Sequence, residues 1–150
     1  MYFVSVTRLR IRSVFFLPQF LLANEASIKS IKKIPGFIAG KELIDKGFTF
    51  WTVTIWESAE AMKYFRNNDP HKTAMRNLPN WCNEAAYVHW TQEDDVIPTW
   101  PVLHQKLIEI GKLTKVKFPS GKQLTMDYAI PAWTKSERPI KKNSTNTRVN

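Results

Sequence analysis

The sequence predicts a single α+β domain built on an antiparallel sheet. A length of 150 residues is typical of one domain, and 43% apolar residues, with 13% aromatic, are enough for a hydrophobic core. Segments rich in β-branched and aromatic residues alternate with segments whose apolar residues recur at helical spacing. Their order through residue 92 is β-α-β-β-α-β, which is the ferredoxin-like arrangement.

Three of the four strands are expected in the first half of the chain: residues 2–11, 37–44 and 48–56. The last two are joined by Asp45-Lys46-Gly47, a short hairpin turn in which the glycine can adopt a positive φ. Between the first two strands, Pro18 suits the first turn of a helix and Pro35-Gly36 ends that helix.

The strand over residues 48–56 is apolar on both faces. One face carries phenylalanine, threonine and tryptophan, and the other carries Trp51, Val53 and Ile55. An exposed face of an antiparallel sheet would alternate with charged residues instead, so a second layer must cover the face opposite the helices. We expect a second copy of the chain there, as an isologous homodimer through the sheet face. The alternative cover is a C-terminal helix over residues 99–111.

Two further helices are marked by their capping residues. Ser58 can cap the first, which ends at Asn67-Asn68. Asp69 can cap a second, short helix with Pro70 at its first position, and Pro79 ends it.

One face of this second helix carries the histidine of greatest interest. The residues at spacing i, i+3, i+4 and i+7 are His71, Ala74, Met75 and Leu78. The fourth strand is expected after the helix, over residues 84–90.

The C-terminal part is predicted to extend the domain and then to become a tail. The extension begins at about residue 93 and includes the helix over residues 99–111 and an edge strand over residues 112–118. The domain therefore spans residues 1–119. Residues 120–150 are expected to form a basic, flexible tail, since residues 132–150 carry five basic side chains, one acidic one and no periodicity.

Charge and cysteine content exclude several classes of function. The net charge is +9, but no nucleic-acid-binding motif accompanies it, so specific nucleic-acid recognition is not expected. The lone Cys82 excludes an internal disulfide and favours a reducing, cytoplasmic location. No apolar run is long enough for a membrane span. The histidines and Cys82 lack the spacing of a zinc site.

The run FWTVTIWESAEAMKYFRNNDPHKTAM (residues 50–75), followed by WCNEAAYVHW (residues 81–90), resembles the dimeric α+β barrel superfamily. The resemblance is greatest to the spheroidene-monooxygenase-like and antibiotic-biosynthesis-monooxygenase-like branches. There a Trp-Thr-x-x-x-Trp strand, a capped helix, a histidine-bearing helix and a Trp-aromatic strand recur in that order. The resemblance covers residues 34–111. It implies a pocket between the sheet and the helices, which cofactor-free members use to orient an electron-rich aromatic against dioxygen.

The same resemblance leaves the cofactor open between heme and none. The histidine of the heme-dependent spheroidene-monooxygenase-like branch is similar to the one in NDPHKTAM, which implies His71 as an axial ligand. Heme-degrading members carry an asparagine on the first strand and a tryptophan on the second helix. Here Ser5, Thr7 and Phe65 stand in those places, which disfavours heme degradation of that type.

His71 is the candidate catalytic residue, as a base, proton donor or heme ligand, and its alternative role is to pack as a structural side chain. A helix N-terminus lowers the pKa of a histidine and favours its neutral form. The candidate ligand-binding residues are Phe50, Trp51, Thr52, Trp56, Phe65 and Met75. For His89, His104 and Cys82 a structural role is preferred.

Together these observations predict a monooxygenase-like protein for a hydrophobic aromatic or polyene substrate. The alternative is a non-catalytic small-molecule-binding dimer of the same fold. The two hypotheses differ in whether His71 and the hydroxyl groups of Ser5, Thr7 and Thr52 share one cavity.

Overall fold

The computed structural model describes residues 1–144 of the chain. The strands are β1 (Tyr2–Ile11), β2 (Phe37–Asp45), β3 (Thr49–Trp56), β4 (Cys82–Gln92), β5 (Lys112–Leu113) and β6 (Glu137–Lys141). The helices are α1 (Leu17–Ile31), α2 (Ala59–Asn67), α3 (His71–Trp81), α4 (Trp100–Ile110) and α5 (Gly121–Thr125), with short 3-10 turns at Val14–Phe16 and Thr134–Ser136. The order β-α-β-β-α-β through residue 92 is confirmed. Two consecutive helices, α2 and α3, stand in the place of the second helix.

The predicted cap of α2 and the hairpin turn are present, whereas α3 begins at His71 with Pro70 as its N-cap residue and continues through Pro79 to Trp81. Ser58 Oγ accepts a hydrogen bond from the Ala61 backbone N–H at 3.2 Å, which caps α2. Asp69 Oδ1 accepts from both the backbone N–H and the hydroxyl of Thr73, at 3.1 and 2.6 Å, in the first turn of α3. Gly47 has a φ of +67°, as the turn requires. Phe48 also has a positive φ, of +58°, so β3 begins at Thr49 rather than at residue 48.

The strands form one antiparallel sheet in the order β5-β4-β1-β3-β2-β6. The four central strands have the ferredoxin-like order, and the C-terminal part adds a strand at each edge. Of the edge strand expected over residues 112–118, only Lys112 and Leu113 pair with β4.

Helices α1, α2 and α3 cover one face of the sheet through two buried clusters. In one cluster Phe20 of α1 packs on Phe50 of β3, with ring centroids 4.6 Å apart, and Leu78 of α3 completes it. In the other, Phe37, Trp56 and further apolar side chains pack against α1 and α2. A cavity remains between these clusters.

The opposite face of the sheet is covered by the chain's own C-terminal segment. Trp100, Leu103 and Leu107 of α4 belong to one buried cluster with the apolar face of β1 and β3. Trp51 and Val53 on that face have no exposed surface within the single chain. Within the single chain, the alternative cover, the C-terminal helix, therefore lies on the face where a second copy was expected, and the homodimer stays a prediction.

The segment after residue 119 is also more ordered than the sequence indicated. The Tyr128 side chain is buried in the cluster under α4, and β6 pairs with residues 39–43 of β2. The flexible tail expected over residues 120–150 is therefore corrected for residues 120–144. The polar composition of β6 is typical of an edge strand, and Ile140 is its one buried residue. Residues 145–150, also placed in that tail, lie outside the described residues.

Candidate functional site

A cavity of about 130 Å³ lies between the sheet and helices α1, α2 and α3. The sheet provides its floor, where cross-strand pairing sets Ser5 opposite Thr54 and Thr7 opposite Thr52. Since residues two apart on a strand point to the same side, all four hydroxyl side chains share this face. The helices provide mainly apolar walls. The cavity therefore combines a polar floor with hydrocarbon sides.

Five of the seven side chains predicted for the site line this cavity: Thr52, Trp56, Phe65, His71 and Met75. Phe50 points to the same side of the sheet but packs under Phe20, so it supports the cavity without lining it. Trp51 faces the other side of the sheet, where it contacts Trp100 and His104. Strand alternation separates Trp51 from the other six, and its position argues against ligand contact.

His71 lines the cavity from the first position of α3. Its Nδ1 lies 3.4 Å from the carbonyl oxygen of Arg66, and its ring centroid lies 4.8 Å from that of Phe65. Burial lowers the pKa of His71 below its ordinary value, an effect that the Arg66 carbonyl partly opposes. The ring is therefore neutral at pH 7. With its proton on Nδ1, facing the carbonyl, the free nitrogen Nε2 can accept a proton.

An aromatic wall stands beside the histidine. The ring centroids of Trp56 and Phe65 lie 5.7 Å apart, and the ring planes are tilted by 33° to one another. Trp56 Nε1 donates to Thr54 Oγ1 at 2.9 Å, so the indole is held in place from the sheet side. This arrangement presents ring surface to a flat apolar ligand.

Asn24 is a cavity residue that the sequence analysis missed as a functional group. It lies in phase with Phe20 and Ile28 on the inward face of α1, and a polar residue in an apolar stripe was the available signal. Its Nδ2 donates to Glu42 Oε2 at 2.8 Å. Glu42 is only 1% exposed, and Arg138 of β6 donates to its other carboxylate oxygen at 3.1 Å. The amide is thus anchored to the buried carboxylate of an ion pair whose arginine reaches the surface.

Strand β6 contributes to the same wall through Ile140. Sequence reasoning missed this contribution because residues 137–141 have a polar composition and no alternation of apolar residues. Arg138 ties the strand down through Glu42 and through Glu25 on α1. The C-terminal segment therefore takes part in building the site.

The other candidate groups have surroundings that suit structural roles. His89 lies outside the cavity lining, with its ring 5.1 Å from those of Phe3 and Tyr87. His104 Nε2 lies 2.7 Å from the Tyr128 carbonyl oxygen. Burial raises the pKa of the Cys82 thiol to about 12, so it is not a thiolate at neutral pH. Residues 1–144 contain no cluster of three or more side chains suited to a metal ion, and no helix in this range has the length and hydropathy to cross a membrane.

Comparison with known proteins relates this site to a fold. No protein-family model matches the chain, and no curated protein matches it in sequence. Its structure is similar to that of SnoaB, a cofactor-independent oxygenase from Streptomyces nogalater, with a TM-score of 0.53 and 12% identity over 63% of this chain and 96% of SnoaB. Rv0793 from Mycobacterium tuberculosis gives a TM-score of 0.58 and 11% identity over 65% of this chain and 100% of that protein.

A crystal structure of an antibiotic biosynthesis monooxygenase is similar at a TM-score of 0.54 and 11% identity, over 63% of this chain and 100% of that one. At such identities the likeness shows the fold alone. The chain therefore has the ferredoxin-like α+β fold of the antibiotic-biosynthesis-monooxygenase-like proteins, as the resemblance of residues 34–111 indicated. More than a third of the chain lies outside each of these matches.

Heme, which the resemblance also carried, does not fit the cavity. Pockets for drug-sized ligands span roughly 300–1,000 Å³, and a heme is at the large end of such ligands. The cavity here is about 130 Å³.

Proposed function

We propose that this chain is a monooxygenase-like enzyme that oxidises a small phenol with dioxygen and without a resident cofactor. The observation that carries the proposal is the meeting of neutral His71 with the hydroxyl side chains of the sheet floor and an aromatic wall in one cavity. This convergence is the feature expected of an enzyme rather than of a passive hydrocarbon pocket. The described activity of SnoaB as a cofactor-independent oxygenase supports the same class.

The size of the cavity favours a one-ring substrate. An apolar protein cavity of roughly 150 Å³ holds one benzene molecule. A cavity of about 130 Å³ is of that order, which favours an aromatic ring over a long polyene. The hydroxyl groups of Ser5, Thr7 and Thr52 on the floor can then orient a polar substituent on that ring.

His71 has the role of general base in this proposal. Nε2 accepts the phenol proton, and the resulting phenolate is electron-rich enough to reduce dioxygen. One oxygen atom of O₂ enters the ring carbon opposite the phenol oxygen, two hydrogen atoms leave the phenol, and the second oxygen atom leaves as water. Phenol and O₂ thus give a quinone and water in equal amounts, so no external reductant is needed.

Oxygen uptake tests this proposal. The purified chain is incubated with a panel of one-ring phenols, and oxygen consumption and quinone absorbance are recorded together. We expect one quinone formed for each O₂ consumed. Ala74→Phe, which fills the cavity, should abolish uptake, whereas Ala26→Phe, which adds the same ring to an exposed position of α1, should leave it unchanged.

A second candidate function is non-catalytic binding of a small apolar molecule. Most of the cavity lining is hydrocarbon, which favours this alternative. Phenol binding that quenches tryptophan fluorescence, depends on Ala74 and consumes no oxygen would assign the chain to this class. Equal oxygen uptake by the Ala74→Phe and wild-type chains would refute catalysis in this cavity.

A further inference from the structure

A second cavity lies on the other face of β1, between the sheet and the C-terminal segment. Its volume is about 270 Å³. Strand alternation separates the two cavities: Thr7 and Leu9 line the first, whereas Arg8 and Arg10 line the second. The function proposed above makes no use of this second cavity.

Arg8 forms a rigid part of the cavity wall. Arg8 is buried, with only 7% of its surface exposed, and its Nη1 donates a hydrogen bond to Glu84 Oε2 at 2.9 Å. Its guanidinium lies 3.9 Å from the centroid of the Tyr128 ring, and Ser120 Oγ holds the other Glu84 oxygen at 2.9 Å. Arg8 Nε is buried without a hydrogen-bond partner within residues 1–144. A cation is therefore fixed here with part of its donor capacity unused.

Three more cations line the cavity and lack a counter-charge. Within residues 1–144, Arg10 Nε donates to the Gly47 carbonyl oxygen alone, at 3.3 Å. Neither Arg10, Lys46 nor Lys122 takes part in an ion pair with another residue of the range 1–144. The lining side chains thus carry four positive charges against the single carboxylate of Glu84. Like charges that share a concave site repel one another, and a bound anion removes that repulsion.

We propose that this second cavity binds a phosphorylated small molecule through its phosphate group. Arginine guanidinium groups match the oxygens of a phosphate, and lysines supply further point charges at the mouth. The three excess positive charges suit a phosphate dianion better than a single carboxylate. A volume of about 270 Å³ leaves room for a small organic group attached to the phosphate.

Isothermal titration calorimetry with inorganic phosphate tests the proposal at constant ionic strength. We expect saturable binding of one phosphate per chain. The double variant Lys46→Gln/Lys122→Gln should weaken it about tenfold or more, because two charged donors are lost. The matched double variant Lys33→Gln/Lys142→Gln removes the same charge from exposed positions outside the cavity and should change affinity less than about twofold.

Arg10→Gln is a second test within the cavity, and it too should weaken phosphate binding. Phosphate uptake that does not saturate, or that weakens equally in both double variants, would reduce the effect to general attraction by a basic chain and overturn the proposal. Binding of acetate or citrate in the same cavity without binding of phosphate would overturn the assignment of the anion.

Discussion

Replacement of His71 by alanine should separate a catalytic from a structural histidine. The contact between Nδ1 and the Arg66 oxygen, at 3.4 Å, is longer than an ordinary N–H···O bond and contributes at most about 0.5 kcal/mol. The ring contact with Phe65, at 4.8 Å between centroids, is of a kind that contributes about 0.5–1.5 kcal/mol. The expected loss of stability is therefore about 1–2 kcal/mol, or about 3–6 °C in Tm.

His89→Ala is the matched control for this variant. Its ring makes two comparable aromatic contacts, each at 5.1 Å, on the same face of the sheet, but it does not line the cavity. Both variants should therefore lose similar stability in thermal unfolding. Only His71→Ala should lose phenol-dependent oxygen uptake, by about 10²–10⁴-fold, which is the usual contribution of a general base.

The pH profile of oxygen uptake adds a second readout. Because burial lowers the pKa of His71, the rate with wild-type protein should rise with pH, with a midpoint below the ordinary histidine pKa of 6.5. A His71→Ala chain that unfolds a few degrees lower yet consumes oxygen at the wild-type rate would refute the assignment of His71 as the base.

Three further predictions follow from burial. Leu103→Ala should cost about 2–5 kcal/mol in urea unfolding because Leu103 has no exposed surface under α4, and a loss below about 1 kcal/mol would contradict the covered sheet face. Cys82 should resist a thiol reagent at pH 8 in the folded chain and react at once in urea, since burial raises its pKa to about 12. Burial also lowers the pKa values of His71 and His89, so the unfolded chain binds more protons below about pH 6.5, and Tm should fall as the pH is lowered from about 6.5 to 5. A double replacement of both histidines by alanine should flatten that part of the curve, and an unchanged slope would contradict it.

The sequence was sufficient for the central sheet and for most of the candidate site. Apolar alternation in β3 and helical spacing in α3 depend on residues close together in the chain. These two patterns alone predicted Thr52, Trp56, His71 and Met75 as residues of the site, and all four line the cavity. Trp51 was misjudged within the same pattern, because alternation tells which residues share a face but not which face bears the cavity.

What the sequence could not supply depends on distant pairing. The two apolar faces of β3 required a cover, but either a second chain or residues 99–111 could satisfy that requirement. Strand β6 has one buried side chain, Ile140, and Arg138 of this strand donates a hydrogen bond to Glu42 of β2, with which β6 pairs. Such a contact leaves no periodic signal in a polar segment. The sequence did not predict the role of Asn24 for a related reason, because its hydrogen-bond partner Glu42 lies on another element.

The position of the cover late in the chain has a consequence for synthesis on the ribosome. Strand β2 pairs with β6, whose residues follow it by about 100 positions, and α4 likewise packs on strands made much earlier. At about 5–20 residues per second, roughly 5–20 seconds separate the emergence of β2 from that of β6. For about half of this interval the face bearing Trp51, Val53 and Ile55 has no partner of its own, because α4, which covers that face, follows β3 by about 50 residues. Chaperone binding and aggregation therefore compete with docking of the C-terminal segment until the last strand has been made.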